Sequence, residues 1–311
     1  MSMENREVMA AVPVILDTDI GPDCDDAGAL AVLLTLAGKG EADILGVMHC
    51  TSSPWGSGCI SAIHTYYGRP DIPIGTLQEE HFLDEEMYQR YNRPIAENYP
   101  HAYRQGGAAE DATVLYRKLL AASDDESVVI IGIGPLVNLY RLLSSAPDEL
   151  HPLDGIALVR QKVKTLVVMG GAYPSGKEWN FEMHPEAAKY VVEQWPSPII
   201  FSGYEAGVDI QTGSRLFRDT AADHPVRKAY ELFLDGRQTR SSWDLITVLI
   251  GVRGLCGLCE AEQNGWVEVS ATGENRWIEG RVPGKTHSYI KMKAAKAEIE
   301  AILDELMCTK N

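Results

Sequence analysis

The sequence predicts an α/β fold: one Rossmann-like domain over residues 1–311, with a mostly parallel central sheet flanked by helices. Two observations support this prediction. Short apolar runs recur between longer segments of helical periodicity, as strands do when crossover helices connect them. Hydrophobic residues make up 45% of the chain and charged residues 23%, and no linker, repeat or low-complexity stretch divides it. A single large core is therefore expected.

Five short apolar runs are predicted strands. In chain order they are Val12 to Leu16, Ala42 to Val47, Val128 to Ile131, Thr165 to Val168 and Pro198 to Phe201. Six segments with helical spacing are Asp26 to Leu36, Gly56 to Tyr67, Thr113 to Ala122, Leu136 to Leu143, Pro185 to Gln194 and Asp244 to Val252. The polar and aromatic segment from Leu77 to Gly107 is the longest predicted loop, where we expect a lid or a partner surface.

The charge of the chain excludes two classes of partner. Its formal net charge is -16, and no Lys/Arg run offsets this locally, so neither nucleic acid nor an anionic membrane is an expected partner. The opening residues MSMENREVMAAVPVILD lack the cationic end and apolar run of an export signal, and no stretch is apolar enough to span a bilayer. We therefore predict a cytosolic protein.

Polar residues follow each predicted strand. In open α/β sheets ligands bind beyond the carboxyl ends of the strands, so the active site is expected there. The segments that follow the five strands read, in order, DTDIGPDCDD, HCTSS, GIGPL, MGGAYPSGKEWN and SGYEAG.

The first of these segments indicates a metal site. It places five carboxylates within ten residues: Asp17, Asp19, Asp23, Asp25 and Asp26. Carboxylates this close cannot all ionise cheaply without a cation, and a hard divalent ion needs several oxygen ligands. Helix capping and turn formation account for one or two of these residues, but not for five.

These motifs resemble the inosine-uridine-preferring nucleoside hydrolases, whose signature is an apolar strand, then DxDxGxDD and a helix. The corresponding text is DTDIGPDCDDAGAL, with two additional residues before the Asp25-Asp26 pair. The resemblance covers the chain from Val12 to about Gly254. It continues, in the family's order, through IGIGPLVNL, VVMGGA, EWN, PEAA and WDLITVLIGVRG.

The resemblance implies a calcium-dependent hydrolase of a small nucleoside-like molecule, assembled as a homodimer or homotetramer. Ca²⁺ would be held by three carboxylates, a backbone carbonyl and a water. The implied metal ligands are Asp19, Asp26, Asp244 and the carbonyl of Ile133. Asp19 would also be the catalytic base that deprotonates the water. The implied ribose contacts are Asp25, Glu178 and Asn180.

Two positions depart from the family pattern. Trp243 stands where the family has a histidine that can protonate the departing base, and indole can stack on a base but cannot act as a general acid. Ser53 aligns with a ribose-binding asparagine. Two other functions stay open: a nucleoside- or sugar-binding homologue without catalysis, and a magnesium phosphohydrolase with Asp17 as nucleophile and Asp19 as acid/base.

Overall fold

The computed structural model describes residues 10–103 and 109–310. Its strands are β1 Val12–Thr18, β2 Ala42–His49, β3 Ile74–Thr76, β4 Glu110–Asp111, β5 Val128–Gly132, β6 Val163–Met169, β7 Ser175–Gly176, β8 Ile199–Ser202, β9 Gln211–Thr212, β10 Arg240–Ser241, β11 Cys259–Glu262, β12 Gly265–Val269, β13 Asn275–Glu279 and β14 His287–Met292.

The helices flank these strands. They are α1 Asp25–Gly38, α2 Gly56–Tyr66, α3 Asn92–Asn98, α4 Ala112–Ala122, α5 Val137–Leu143, α6 Gly155–Lys162, α7 Trp179–Met183, α8 Pro185–Gln194, α9 Tyr204–Gly207, α10 Ser214–Asp219, α11 Pro225–Leu234, α12 Trp243–Arg253 and α13 Lys296–Cys308; a 3₁₀ helix spans Glu86–Tyr88. In the part of the chain that the structure describes, no helix is both long and apolar enough to cross a bilayer.

One nine-stranded sheet forms the centre of the fold. Its strand order is β11-β14-β8-β6-β5-β1-β2-β3-β4, and every neighbouring pair is parallel except β11 with β14. The predicted α/β class with a mostly parallel sheet is thus confirmed. Because β1 lies between β5 and β2, the segment after β1 meets the segment after β5 at the carboxyl edge of the sheet.

Two helices are buried almost along their whole length. Residues 25–37 of α1 and 244–252 of α12 are all buried, and α1 packs against both α12 and α13. A helix that is apolar on every side must lie inside the fold, which explains why these segments show little amphipathic spacing. The buried charged residues of both helices belong to the first turn: Asp25 and Asp26 in α1 and Asp244 in α12.

The five strands and six helices predicted from the sequence are all present, with ends that agree or are shifted by one or two residues. The prediction of a long loop from Leu77 to Gly107 was wrong in part. It contains the 3₁₀ helix and α3, and Tyr91 and Ile95 are fully buried. Residues 104–107 of that loop lie outside the described residues, as do residues 1–9, on which the export prediction partly depends.

Candidate active site

A cavity of about 410 Å³ lies at the carboxyl ends of β1, β5 and β6. The residues that follow these strands line it, together with the N-terminal turns of α1, α7 and α12. The structure brings together eight residues predicted from the sequence, namely Asp19, Asp25, Asp26, Ile133, Glu178, Asn180, Trp243 and Asp244. The ninth, Ser53, does not line this cavity.

Buried carboxylates occupy the floor of the cavity. One oxygen each of Asp25, Asp26 and Asp244 lies within 4.8 Å of the others. Asp19 and Asp26 are close enough for each carboxyl group to shift the pKa of the other, and the hydroxyl of Thr18 donates to Asp26 Oδ1 over 2.5 Å. The backbone N–H of Asp244 donates to Asp25 Oδ2 over 3.3 Å. Two N-terminal helix turns, more than two hundred residues apart in sequence, therefore present their acids to one point.

Burial raises the pKa of each of these four carboxyl groups, and the charges of neighbouring aspartates raise it further. Within the described ranges, none of the four forms an ion pair with lysine or arginine. Their ionised forms are costly because a low-dielectric surrounding penalises uncompensated like charges. A hard divalent cation with oxygen ligands would compensate them, so the donor set fits such an ion.

Glu178 and Asn180 form the cavity wall beside these carboxylates. The carboxylate of Glu178 caps α7 by accepting from the backbone N–H of Asn180 (2.7 Å) and Phe181 (3.3 Å), and it also accepts from Gly171 (3.0 Å). Glu178 is only 5% exposed, so its carboxylate is buried at the cavity and does not lie on the outer surface. Burial raises its pKa to about 7, and the three backbone donors oppose that rise.

Asn180 connects two strand ends. Its side-chain amide donates to the carbonyl oxygens of Ile133 (3.4 Å) and Met169 (3.2 Å). The N–H of Ile133 in turn donates to the carbonyl of Asp17 over 2.8 Å. The carbonyl of Ile133 is thereby fixed between β1 and the wall that bears Asn180.

Aromatic and basic side chains form the remaining side. The Trp243 indole N–H donates to the carbonyl of Tyr204 over 2.7 Å, and the two rings lie 5.6 Å apart. Arg240, Phe233 and Tyr88 also line the cavity. Among the residues that the structure describes, no histidine does. Arg240 was not predicted from the sequence, because only folding brings it beside Asp23, 217 residues away.

Ser53 and Asp17 lie behind the cavity wall. Ser53 donates from Oγ to Gln89 (2.6 Å) and accepts from the side chain of Asn92 (3.3 Å). Asp17 is 2% exposed and accepts from the hydroxyl of Tyr116 (2.8 Å) and the amide of Asn138 (3.5 Å). Both side chains are therefore held in hydrogen bonds within the protein rather than presented to a ligand.

The raised pKa values predict an unusual pH dependence of stability. Burial raises the pKa of Asp17 and of Glu178 to about 7 and also raises that of the four clustered aspartates. These six carboxyl groups outnumber the four buried histidines, whose pKa burial lowers. The folded protein therefore binds more protons than the unfolded chain between pH of about 4 and 7. Stability must then fall as pH rises through that window. In metal-stripped protein we expect the free energy of unfolding to drop by on the order of 3 kcal/mol or more from pH 5 to pH 8.

Urea unfolding at the two pH values measures this difference. Calcium should remove most of this drop in the free energy of unfolding if a cation compensates the neighbouring carboxylates. Glu178→Gln should make the drop smaller because one titrating group is lost. A metal-stripped protein that becomes more stable toward pH 8 would contradict the expectation.

The chain is similar to one protein family and to several ribonucleoside hydrolases. A family model described as inosine-uridine preferring nucleoside hydrolase matches residues 14–276. The pyrimidine-specific ribonucleoside hydrolase RihA of Escherichia coli (strain SMS-3-5 / SECEC) is 28% identical over 210 residues, covering 63% of this chain and 61% of that protein. RihA of Citrobacter koseri is 29% identical over 206 residues, with the same coverage. The match thus spans about three fifths of the relatives' length.

The fold is shared more widely than the sequence. The crystal structure of an inosine-uridine preferring nucleoside hydrolase from Bacillus anthracis superposes with a TM-score of 0.71 at 17% identity, covering 96% of this chain and 99% of that one. At this identity the likeness concerns the fold alone.

Proposed function

Since this chain belongs to the inosine-uridine preferring nucleoside hydrolase family, we propose that it hydrolyses the N-glycosidic bond of a ribonucleoside or a related N-ribosyl compound, using Ca²⁺ bound at the acidic cluster. The resemblance predicted from its motifs is confirmed. One observation supports the proposal most strongly. Four buried carboxylates with raised pKa values line one cavity together with Glu178.

The proposed cation ligands are Asp19, Asp26, Asp244 and the carbonyl of Ile133. The three converging oxygens belong to Asp25, Asp26 and Asp244, which leaves the choice between Asp19 and Asp25 to a further argument. After burial, the charge of Asp19 contributes most to the raised pKa of Asp26, so a cation shared by these two acids would relieve their repulsion, and the family resemblance assigns both of them to the ion. We therefore place Asp19 at the ion and Asp25 toward the sugar.

A bound divalent cation supplies Lewis-acid polarisation of water at this point. The carboxylate of Asp19 accepts the proton of the attacking water and orients its oxygen toward the anomeric carbon. As the bond to the base breaks, positive charge develops on the sugar ring. The carboxylates of Asp25 and Glu178 stabilise that charge, and the amide of Asn180 positions the sugar against them.

Trp243 faces the base side of this arrangement. Its ring is held by the hydrogen bond to Tyr204 and by packing against that residue's ring, so it offers a fixed flat surface on which a nucleobase can stack. It cannot donate a proton to a departing base. This same feature favours the second candidate, a nucleoside-binding homologue that retains the cation site without turnover.

The phosphohydrolase alternative fits the structure less well. It requires Asp17 as a nucleophile open to substrate, but Asp17 is buried behind the wall and accepts hydrogen bonds from Tyr116 and Asn138. It also leaves Asp25 and Asp26 without roles. The predicted homodimer or homotetramer stays a prediction.

Incubation with a panel of purine and pyrimidine ribonucleosides in calcium tests the proposal. We expect free ribose, measured by a reducing-sugar assay, and none after the protein is stripped of metal. Ligand-induced stabilisation without any ribose would establish the binding homologue instead. Release of inorganic phosphate from phosphate monoesters, with no ribose from nucleosides, would establish the phosphohydrolase.

A further inference from the structure

Arg240 is a cationic side chain built into the same cavity as the acidic cluster. It lies in β10, three residues before Trp243, and its side chain is 28% exposed. Its charge lowers the pKa of Asp25, against the effect of burial and of neighbouring acids, which places the guanidinium close to the proposed sugar site.

Asp23 holds one edge of the guanidinium. The Nε–H of Arg240 donates to both carboxylate oxygens of Asp23 at 2.9 Å, and Nη2 donates to Oδ2. Asp23 belongs to the stretch in which this sequence has two residues more than the family signature. Within the described part of the chain, no acceptor is bonded to Nη1. The ion pair thus fixes the Nε and Nη2 side of the guanidinium and leaves Nη1 available to a ligand.

Aromatic rings fix the plane of the same group. The guanidinium carbon lies 5.1 Å from the Trp243 ring centroid and 5.8 Å from that of Phe233. Both contacts fall in the range of cation–π attraction. The Trp243 ring is held in place by its hydrogen bond to the carbonyl of Tyr204. The guanidinium that packs against this ring is therefore oriented before any ligand binds.

We propose that Arg240 binds the leaving base and stabilises its negative charge, supplying the leaving-group activation that Trp243 cannot. This rests on the proposed function. Nη1 donates to an acceptor atom of the base, a ring nitrogen or a carbonyl oxygen. The substrates are therefore N-ribosides whose bases present such an acceptor.

The step balances without proton transfer from arginine. The water oxygen bonds to the anomeric carbon and its proton passes to Asp19. The bond between the anomeric carbon and the base nitrogen breaks, and its electron pair stays on the base. The base leaves as an anion paired with the guanidinium and takes a proton from solvent afterwards. Although burial opposes ionisation, the hydrogen bonds to Asp23 raise the pKa of Arg240, so it remains charged throughout.

Two kinds of substrate, which differ in how much stabilisation the leaving group needs, test this role. Uridine and inosine need help with the departing base, whereas p-nitrophenyl β-D-ribofuranoside releases a phenolate that is stable without help. Arg240→Gln is expected to lower kcat/KM for the nucleosides by about 100-fold or more, and for the nitrophenyl riboside by about threefold or less. Asp23→Asn, which keeps the guanidinium but loosens it, should give a smaller loss with the same selectivity.

Arg253→Gln is the matched control. Arg253 makes a similar two-pronged pair with Glu41, is 30% exposed, and does not line the cavity. We expect the Arg253→Gln variant to have unchanged kcat/KM for the nucleosides and for the nitrophenyl riboside.

Equal losses on both substrates would overturn the proposal, because they would indicate a structural role for Arg240. Unchanged nucleoside turnover in folded Arg240→Gln would also overturn it. If the unmodified protein cleaves the nitrophenyl riboside but no nucleoside, the ribosidase function stands and the role of Arg240 fails. If it cleaves neither, the proposed function itself fails.

Discussion

Asp19→Asn is expected to lower the rate of nucleoside hydrolysis by about 10² to 10⁴-fold, the usual contribution of a positioned general base. Asparagine has nearly the same shape but cannot accept the proton of the attacking water. The fold should tolerate the change. Asp19 is 4% exposed and its pKa is raised by burial, so its charge is unfavourable in the metal-free protein, and removing it relieves repulsion with Asp26.

Ribose release under saturating calcium measures the rate, and thermal unfolding checks the fold. Asp304→Asn is the matched control, since Asp304 is also a buried acid with a raised pKa, accepts a backbone hydrogen bond from Gly213, and lies outside the cavity. That variant should retain full activity. An Asp19→Asn protein with normal turnover would remove Asp19 from the mechanism.

Asp244→Ala is expected to weaken calcium binding by about 100-fold or more. Asp244 is the carboxylate that α12 contributes to the cluster, and its oxygen lies within 4.8 Å of those of Asp25 and Asp26. Losing it removes one charged ligand and opens space behind the ion. By linkage, calcium at 100 times its dissociation constant stabilises the native state by about 2.7 kcal/mol, and in the variant most of this gain should disappear.

Calorimetric titration of metal-stripped protein measures the affinity, and melting with and without calcium measures the stabilisation. Asp43→Ala removes an exposed acid of β2 outside the cavity and should change neither. Equal calcium affinity in the Asp244 variant and the parent protein would contradict the proposed ligand set. A strong preference for magnesium, with Asp244 dispensable, would favour the phosphohydrolase.

The order of strands and helices along the chain was predictable because short-range hydrophobic patterns in the sequence encode it. Apolar runs such as Val128 to Ile131 can satisfy their pattern only as buried strands, and the spacing from Pro185 to Gln194 only as a helix with one apolar face. The position of the cavity followed from one general property of parallel sheets. Their strand ends lie at a common edge, so polar segments after β1, β5 and β6 had to meet.

The sequence by itself determined the α/β architecture, the family, and the grouping of acids after the first strand with Asp244. Only the tertiary structure decided which polar residues face the cavity. In the folded protein, Asp17 and Ser53 form internal hydrogen bonds. Asp23 forms an ion pair with Arg240, which lies 217 residues away in the sequence. Local patterns encode whether a residue lies in a strand, a helix or a turn. The direction of its side chain depends on partners hundreds of residues away, which come together only when the core packs.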